Sequence, residues 1–185
     1  MYKFLLAAIS ILALSSAFTL ATEESAPAAP ITDEAYGGTD DVAFAEEAWK
    51  ALDGYQEWRV QSDLVKGASP HGKLVRMYSS WIIIDKRMYS VIVKDNYSGR
   101  GMTEDKVKED PGAWHKSTGV MIQRETGYDK EGMDWFYANF VDGKVAKNKK
   151  GALLAGRVGK GEKRGGCVSC HSQADGGDFL YSNDH

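Results

Sequence analysis

From Tyr55 onward the chain's apolar residues recur with a period close to two, and this pattern most limits what it can fold into. Five runs rich in β-branched and aromatic residues carry it: Tyr55 to Val65, Leu74 to Ile84, Tyr89 to Asn96, Thr118 to Arg124 and Trp135 to Val141. Turn signals separate them at Ser69-Pro70-His71-Gly72, Ser98-Gly99, Pro111-Gly112, Gly127-Tyr128-Asp129 and Asp142-Gly143. No long helical pattern intervenes, so the runs predict a mostly antiparallel sheet. The length, 185 residues, suits one domain with a real core.

The N-terminal part reads differently. Lys3 precedes an apolar run from Phe4 to Leu14, and Thr19-Leu20-Ala21 resembles a cleavage site, so residues 1–21 read as a secretory signal peptide. The run is too short to span a bilayer, which needs about 20 apolar residues. The expected location is periplasmic or secreted, with no stable membrane insertion after cleavage. Residues 22–41, rich in Ala, Pro, Glu, Thr and Gly, read as a flexible linker. Asp40 or Asp41 is the expected cap of a helix over Val42 to Leu52, with Phe44, Ala48 and Leu52 on one face and Gly54 as its stop. Loss of Lys3 with the leader takes Lys plus Arg from 23 to 22 against 26 acids, a net charge of −4. Nothing in that balance suggests a nucleic-acid partner.

Two cysteines in an exported chain would ordinarily suggest a disulfide. Here they lie three apart and a histidine follows at once, in Cys167-Val168-Ser169-Cys170-His171. Thiols at that spacing, on one helical turn, can each add to a vinyl group on one porphyrin edge, and the adjacent imidazole can then reach the iron. The motif thus predicts one covalently attached haem c, held by Cys167 and Cys170, with His171 as the proximal iron ligand. A thioredoxin-like redox pair would want a preceding βαβ pattern, and a structural zinc would want four ligands. Neither is evident here.

A strong sixth ligand would make an electron carrier, whereas an open position allows gas binding or catalysis. Candidate sixth ligands are His71, His115, Met102, Met121 and Met133; His185 is terminal. The segment from Asp142 to Gly166 carries eight Lys or Arg against two acids. It reads either as a solvated loop or as a positive rim that steadies the haem propionates or docks an acidic redox partner.

Several further segments, in order, resemble the cytochrome P-460 family, which includes the cytochromes c′-beta. They are Tyr55-Gln56-Glu57-Trp58, the Ser69-Pro70-His71-Gly72 turn with Val75-Arg76-Met77-Tyr78, and Ser90 to Tyr97. Gly119 to Arg124, Gly127-Tyr128-Asp129, Asp134 to Tyr137, the CVSCH motif and Asp178-Phe179 complete the series. The resemblance implies an α+β fold, with an N-terminal helix, a C-terminal haem-attachment helix and a curved antiparallel sheet of about five strands over the distal haem face. It also implies a homodimer in many members.

In the name-giving members a strand lysine is bonded to the porphyrin edge, and Lys94 matches it. Strand alternation puts Lys94 on the face of Ile92, opposite Val91 and Val93, where it either snorkels to solvent or meets a partner. Members that oxidise hydroxylamine carry a distal carboxylate, and the matching position here is Val120. The nearest acid, Glu125, faces the other way. The resemblance therefore implies an apolar distal pocket lined by Val120 and Ile92, with Trp135 and Phe136 in the core. Three functions follow from these readings. The favoured one is an open haem site binding a small diatomic such as nitric oxide. The alternatives are an oxidoreductase acting on hydroxylamine or a similar nitrogen compound with Lys94 bonded to the haem, and a plain electron carrier.

Overall fold

The computed structural model describes residues 35–163 and 165–181. The segment read as a signal peptide, most of the segment read as a linker and His185 lie outside them. The elements are helix α1 (Thr39–Ala51), strands β1 (Val60–Gln61), β2 (Val65–Lys66), β3 (Leu74–Ile84) and β4 (Arg87–Tyr97), and short helices α2 (Glu104–Glu109) and α3 (Pro111–Trp114). Strands β5 (His115–Gln123), β6 (Trp135–Val141), β7 (Lys144–Val145) and β8 (Ala155–Gly156) follow, then helix α4 (Cys167–His171). The fold is α+β, with few helices and an antiparallel sheet.

The sheet has eight strands in the order β1-β3-β4-β5-β6-β7, with β2 paired to β3 and β8 to β6. Four of the five predicted runs become the long strands β3 to β6. The fifth, Tyr55 to Val65, does not form a single strand: Tyr55–Glu57 is a 3₁₀ turn and only two-residue pieces pair. Its Tyr55 is buried as part of the core rather than placed in a ladder. Two-residue β7 and β8 carried no period that could be read. The β3–β4 hairpin turns at Asp85 and Lys86, both left-handed, and Asp142-Gly143 turns β6 into β7 as its sequence suggests.

Helix α1 starts at Thr39, inside the segment read as linker. Neither Asp40 nor Asp41 caps it; Gly38 is the N-cap and makes no side-chain bond. The Asp41 carboxylate is buried and accepts a hydrogen bond from Tyr128 Oη at 3.1 Å, so a tertiary contact has taken the group that a cap would use. Ala45, Ala48 and Leu52 face the sheet and join Tyr78, Val91, Val93, Val120, Ile122 and Phe136 in the main core. Phe44 packs edge-on against Phe136 at 4.9 Å, and the Arg124 guanidinium covers the Phe44 ring at 3.8 Å. Each such buried side chain contributes about 1.5–3 kcal/mol, and truncating Phe136 to Ala would cost about 3–5 kcal/mol.

A polar cluster closes one end of this face. Buried Asp95 accepts hydrogen bonds from Tyr55 Oη at 2.6 Å, Thr118 Oγ1 at 3.0 Å and Tyr97 Oη at 3.3 Å, with His115 Nε2 at 3.3 Å. The opposite face of the sheet carries a second cluster of Met121, Trp135, Tyr137, Val158 and Phe179, against which α4 lies.

Candidate functional site

Register decides which residues meet on that second face. Lys94 of β4 pairs with Met77 of β3 and Gly119 of β5, and Ile92 pairs with Ser79 and Met121. Met121 in turn pairs with Tyr137 of β6. Directly opposed residues project to the same side, so Met77, Ile92, Lys94, Met121 and Tyr137 form one wall. A cavity of about 340 Å³ lies against it, bounded also by His71, Asn96, Cys167, Cys170, His171 and Leu180. That volume falls in the range of small-molecule and cofactor pockets, about 300–1,000 Å³.

The five residues of α4 bring both thiols and the histidine to the cavity. Cys167 and Cys170 are unpaired and half-buried, three apart on one helical turn. Gly166 and Gly159, both at positive φ, let the two segments pass so closely that a Cβ on either would collide with the other's backbone. Val168 N then donates to Val158 O at 3.0 Å, which ties α4 to the segment after β8. His171 is buried, and its Nδ1 lies 2.7 Å from the Phe179 carbonyl oxygen. A carbonyl can only accept, so Nδ1 carries the proton and Nε2 keeps its lone pair. The preceding carbonyl, Asp178 O, accepts from Trp135 Nε1 at 3.0 Å, so Trp135 helps fix the segment that orients His171.

Across the cavity, His71 is held by the turn before β3. His71 N donates to Ala68 O at 2.7 Å, and a Cβ at Gly72 would strike the Tyr97 backbone, so this turn must carry glycine to pack against the end of β4. His71 Nε2 lies 3.0 Å from Lys94 Nζ. Burial pushes the His71 imidazole down to about 4, and the Lys94 and His171 charges act in the same direction. His71 is therefore neutral and accepts the hydrogen bond from Lys94. Burial also lowers the Lys94 ammonium to about 8, against the opposing effect of Cys167. The His71 and His171 ring centres are 6.4 Å apart, with planes at 85°.

Other expected residues fall elsewhere. Val120 reaches the cavity wall but pairs with Val93, and its side chain belongs to the core under α1, on the face opposite Ile92. The expectation that Val120 and Ile92 share an apolar distal face is thus corrected for Val120. The residue on the cavity side is its neighbour Met121, because a one-residue step along a strand changes the face. The cavity is not purely apolar either, since His71, Lys94, Asn96 and Tyr137 all reach it. Among the sixth-ligand candidates, His115 is engaged with Thr118 and Asp95, Met102 packs with Leu64, Tyr97 and Val107, and Met133 is 46% exposed in a loop. Glu125 pairs with Arg124. Trp135 and Phe136 are buried as expected, on opposite faces of β6. Met77 and Tyr137 were not singled out from the sequence, although the strand register would have found both. Tyr36 and Asn148, from loops at the rim, gave no signal.

In the basic segment, Arg157 is buried and Lys160 pairs with Asp129 at 2.6 Å, so both serve the fold. Lys144, Lys147, Lys149, Lys150 and Lys163 are exposed, and Asn148 among them borders the cavity. Among the described residues there is no cluster of three or more His, Cys, Asp or Glu side chains able to cage a metal, and no helix long and apolar enough to cross a membrane. No family model, no curated protein and no solved structure matches the chain.

Proposed function

We propose that this protein is a mono-haem c-type cytochrome of the cytochrome P-460 kind, whose distal cavity binds a small diatomic such as nitric oxide. The observation that carries this reading is the state of His171. It is buried beside two free thiols, with Nδ1–H committed to the Phe179 carbonyl and Nε2 left as the only available lone pair. A backbone carbonyl on the far ring nitrogen is the usual way a protein orients a metal-ligating histidine. The rest of the cavity suits the same group. Apolar Ile92, Met121 and Leu180 suit a porphyrin face, and Tyr137 Oη is buried there with no partner among the described residues, as a hydroxyl awaiting an acceptor would be.

In this reading Cys167 and Cys170 attach the haem and His171 binds its iron from the proximal side. The haem, when bound, would supply an iron able to take up the diatomic. The β4–β5 wall excludes water from that iron, and the exposed lysines around Asn148 face an acidic redox partner. Export to the periplasm and pairing with a second copy belong to the same proposal.

One observation favours a second reading. His71 and Lys94 put two titratable groups at the cavity, where the sequence offered no acid or base at the Val120 position. An oxidoreductase acting on hydroxylamine or a related nitrogen compound needs such a group within hydrogen-bond reach.

The deciding experiment is the mass and absorption spectrum of the secreted holoprotein. One haem mass retained after denaturation, and a ferrous Soret band that shifts with carbon monoxide, support the proposal. A chain without covalent haem overturns it. A low-spin ferrous spectrum that carbon monoxide never changes leaves only an electron carrier.

A further inference from the structure

Gly119 is the one glycine within the four long strands, and nothing in the fold asks for it. A glycine inside a strand weakens it, and usually marks a bulge, a bend, or a point where a ligand or another backbone comes close. No bulge is present: Gly119 pairs in regular register with Lys94 of β4 and Asn139 of β6, and the irregularity in the β4–β5 ladder lies at Asn96 and Tyr97. Its φ lies outside the left-handed region. No backbone crowds it either. An added Cβ would meet only Lys94 O at 3.8 Å and Asn96 Nδ2 at 3.9 Å, both ordinary contacts. Gly72 and Gly166 differ in this, since a Cβ on each would collide with a neighbouring backbone. Of the usual reasons for the glycine, only the approach of a ligand remains.

The missing side chain leaves a gap in the cavity wall. On that face Lys94 and Asn139 flank Gly119 across the ladder, and Ser117 and Met121 flank it along β5. All four border the cavity, so the gap is one side chain wide and opens into the space that His171 borders from α4. A second observation points the same way. Tyr137, diagonal to Gly119 on β6, is 2% exposed, and its Oη has no partner among the described residues.

We infer that Gly119 is the specificity-determining residue of this cavity, and that the gap it leaves takes the outer atoms of an iron ligand longer than a diatomic. This deepens the haem proposal and rests on it. The ligand class it admits is a compact molecule of three or more heavy atoms that binds iron at one end. A side chain at this position would select by length while leaving the distal site open to a diatomic.

The test uses the holoprotein, its covalent haem verified by mass, as wild type, Gly119→Ala and Gly119→Val. Because an added methyl meets open space, Gly119→Ala should melt at or above the wild-type temperature. Carbon monoxide and n-butyl isocyanide both bind ferrous iron through carbon and differ in length, so spectral titration with the two reads the gap. Wild type should bind both. Gly119→Val should bind the isocyanide about tenfold more weakly, and carbon monoxide within about threefold of wild type, as overpacking confined to the gap requires. Gly119→Ala should show the same preference to a smaller degree, and it carries the comparison if valine disturbs the strand. A wild type that rejects the isocyanide, or substitutions that weaken both ligands equally or neither, overturn the inference while the haem proposal stands. A Gly119→Ala protein that melts well below wild type also overturns it, because packing would then demand the glycine. A chain with no attached haem overturns both.

Discussion

Val120 of β5 lies directly opposite Val93 of β4, and both side chains are buried in the core beneath α1. The neighbouring pair, Met121 and Ile92, faces the cavity. One step along the strand thus separates a packing position from a cavity position. Val120→Asp should bury an unpaired charge and cost on the order of 3–5 kcal/mol, close to the whole stability of a domain. Met121→Glu places a carboxylate on the face of Lys94 and should cost far less. Thermal melts of the two variants check this, and similar losses would contradict the face assignment.

The Asp95 cluster predicts how stability depends on pH. Burial pushes the Asp95 carboxyl up, but hydrogen bonds from His115, Tyr55 and Thr118 more than reverse this and hold it below its ordinary value. A carboxyl with a lowered folded pKa binds fewer protons in the folded state. It therefore stabilises above its unfolded value of about 3.9 and loses that contribution as pH falls below it. Asp41, raised by burial, acts with the opposite sign. Denaturant unfolding of wild type and Asp95→Asn at pH 6 and pH 3 isolates the effect. The gap between them should be wide at pH 6 and narrow at pH 3.

Trp135 should act on His171 without touching it. Its indole N–H holds Asp178 O, one residue before the carbonyl that orients His171. Trp135→Phe keeps most of the ring packing and removes the donor, at a cost of about 1 kcal/mol. Urea titration measures that loss. Under the haem proposal the iron–histidine stretching band should also broaden, as the Phe179 carbonyl becomes less well fixed.

Lys94 should remain a free amine. Its hydrogen bond to His71 gives it a partner within the cavity, which answers the requirement that a half-buried lysine be paired. Tryptic digestion of the holoprotein should cleave after Lys94 and recover haem only on the peptide that contains Cys167 and Cys170. Missed cleavage at Lys94, with haem on both peptides, would move the oxidoreductase reading ahead.

Much of the fold was legible because the long strands carry their own period. Leu74 to Ile84 and Trp135 to Val141 are so rich in β-branched and aromatic residues, and so clearly bounded by turn residues, that their positions needed no tertiary information. Tyr55 to Val65 misled because aromatic and β-branched content marks burial as much as it marks a strand. Tyr55 is spent on Asp95 and Tyr78, and the backbone around it turns.

The sequence by itself determined the four long strands, the helix before them, and the cluster of two thiols and a histidine on one helical turn. These are local properties, set by alternation, by turn residues and by a spacing of three. Only the tertiary structure decided that His71 lies across a cavity from His171, that Lys94 reaches His71 and that Met121, not Val120, faces that space. Those outcomes depend on strand register and on the packing of a turn against the far end of β4. Register is fixed by which faces are buried once all the strands are together, and no single segment carries that information.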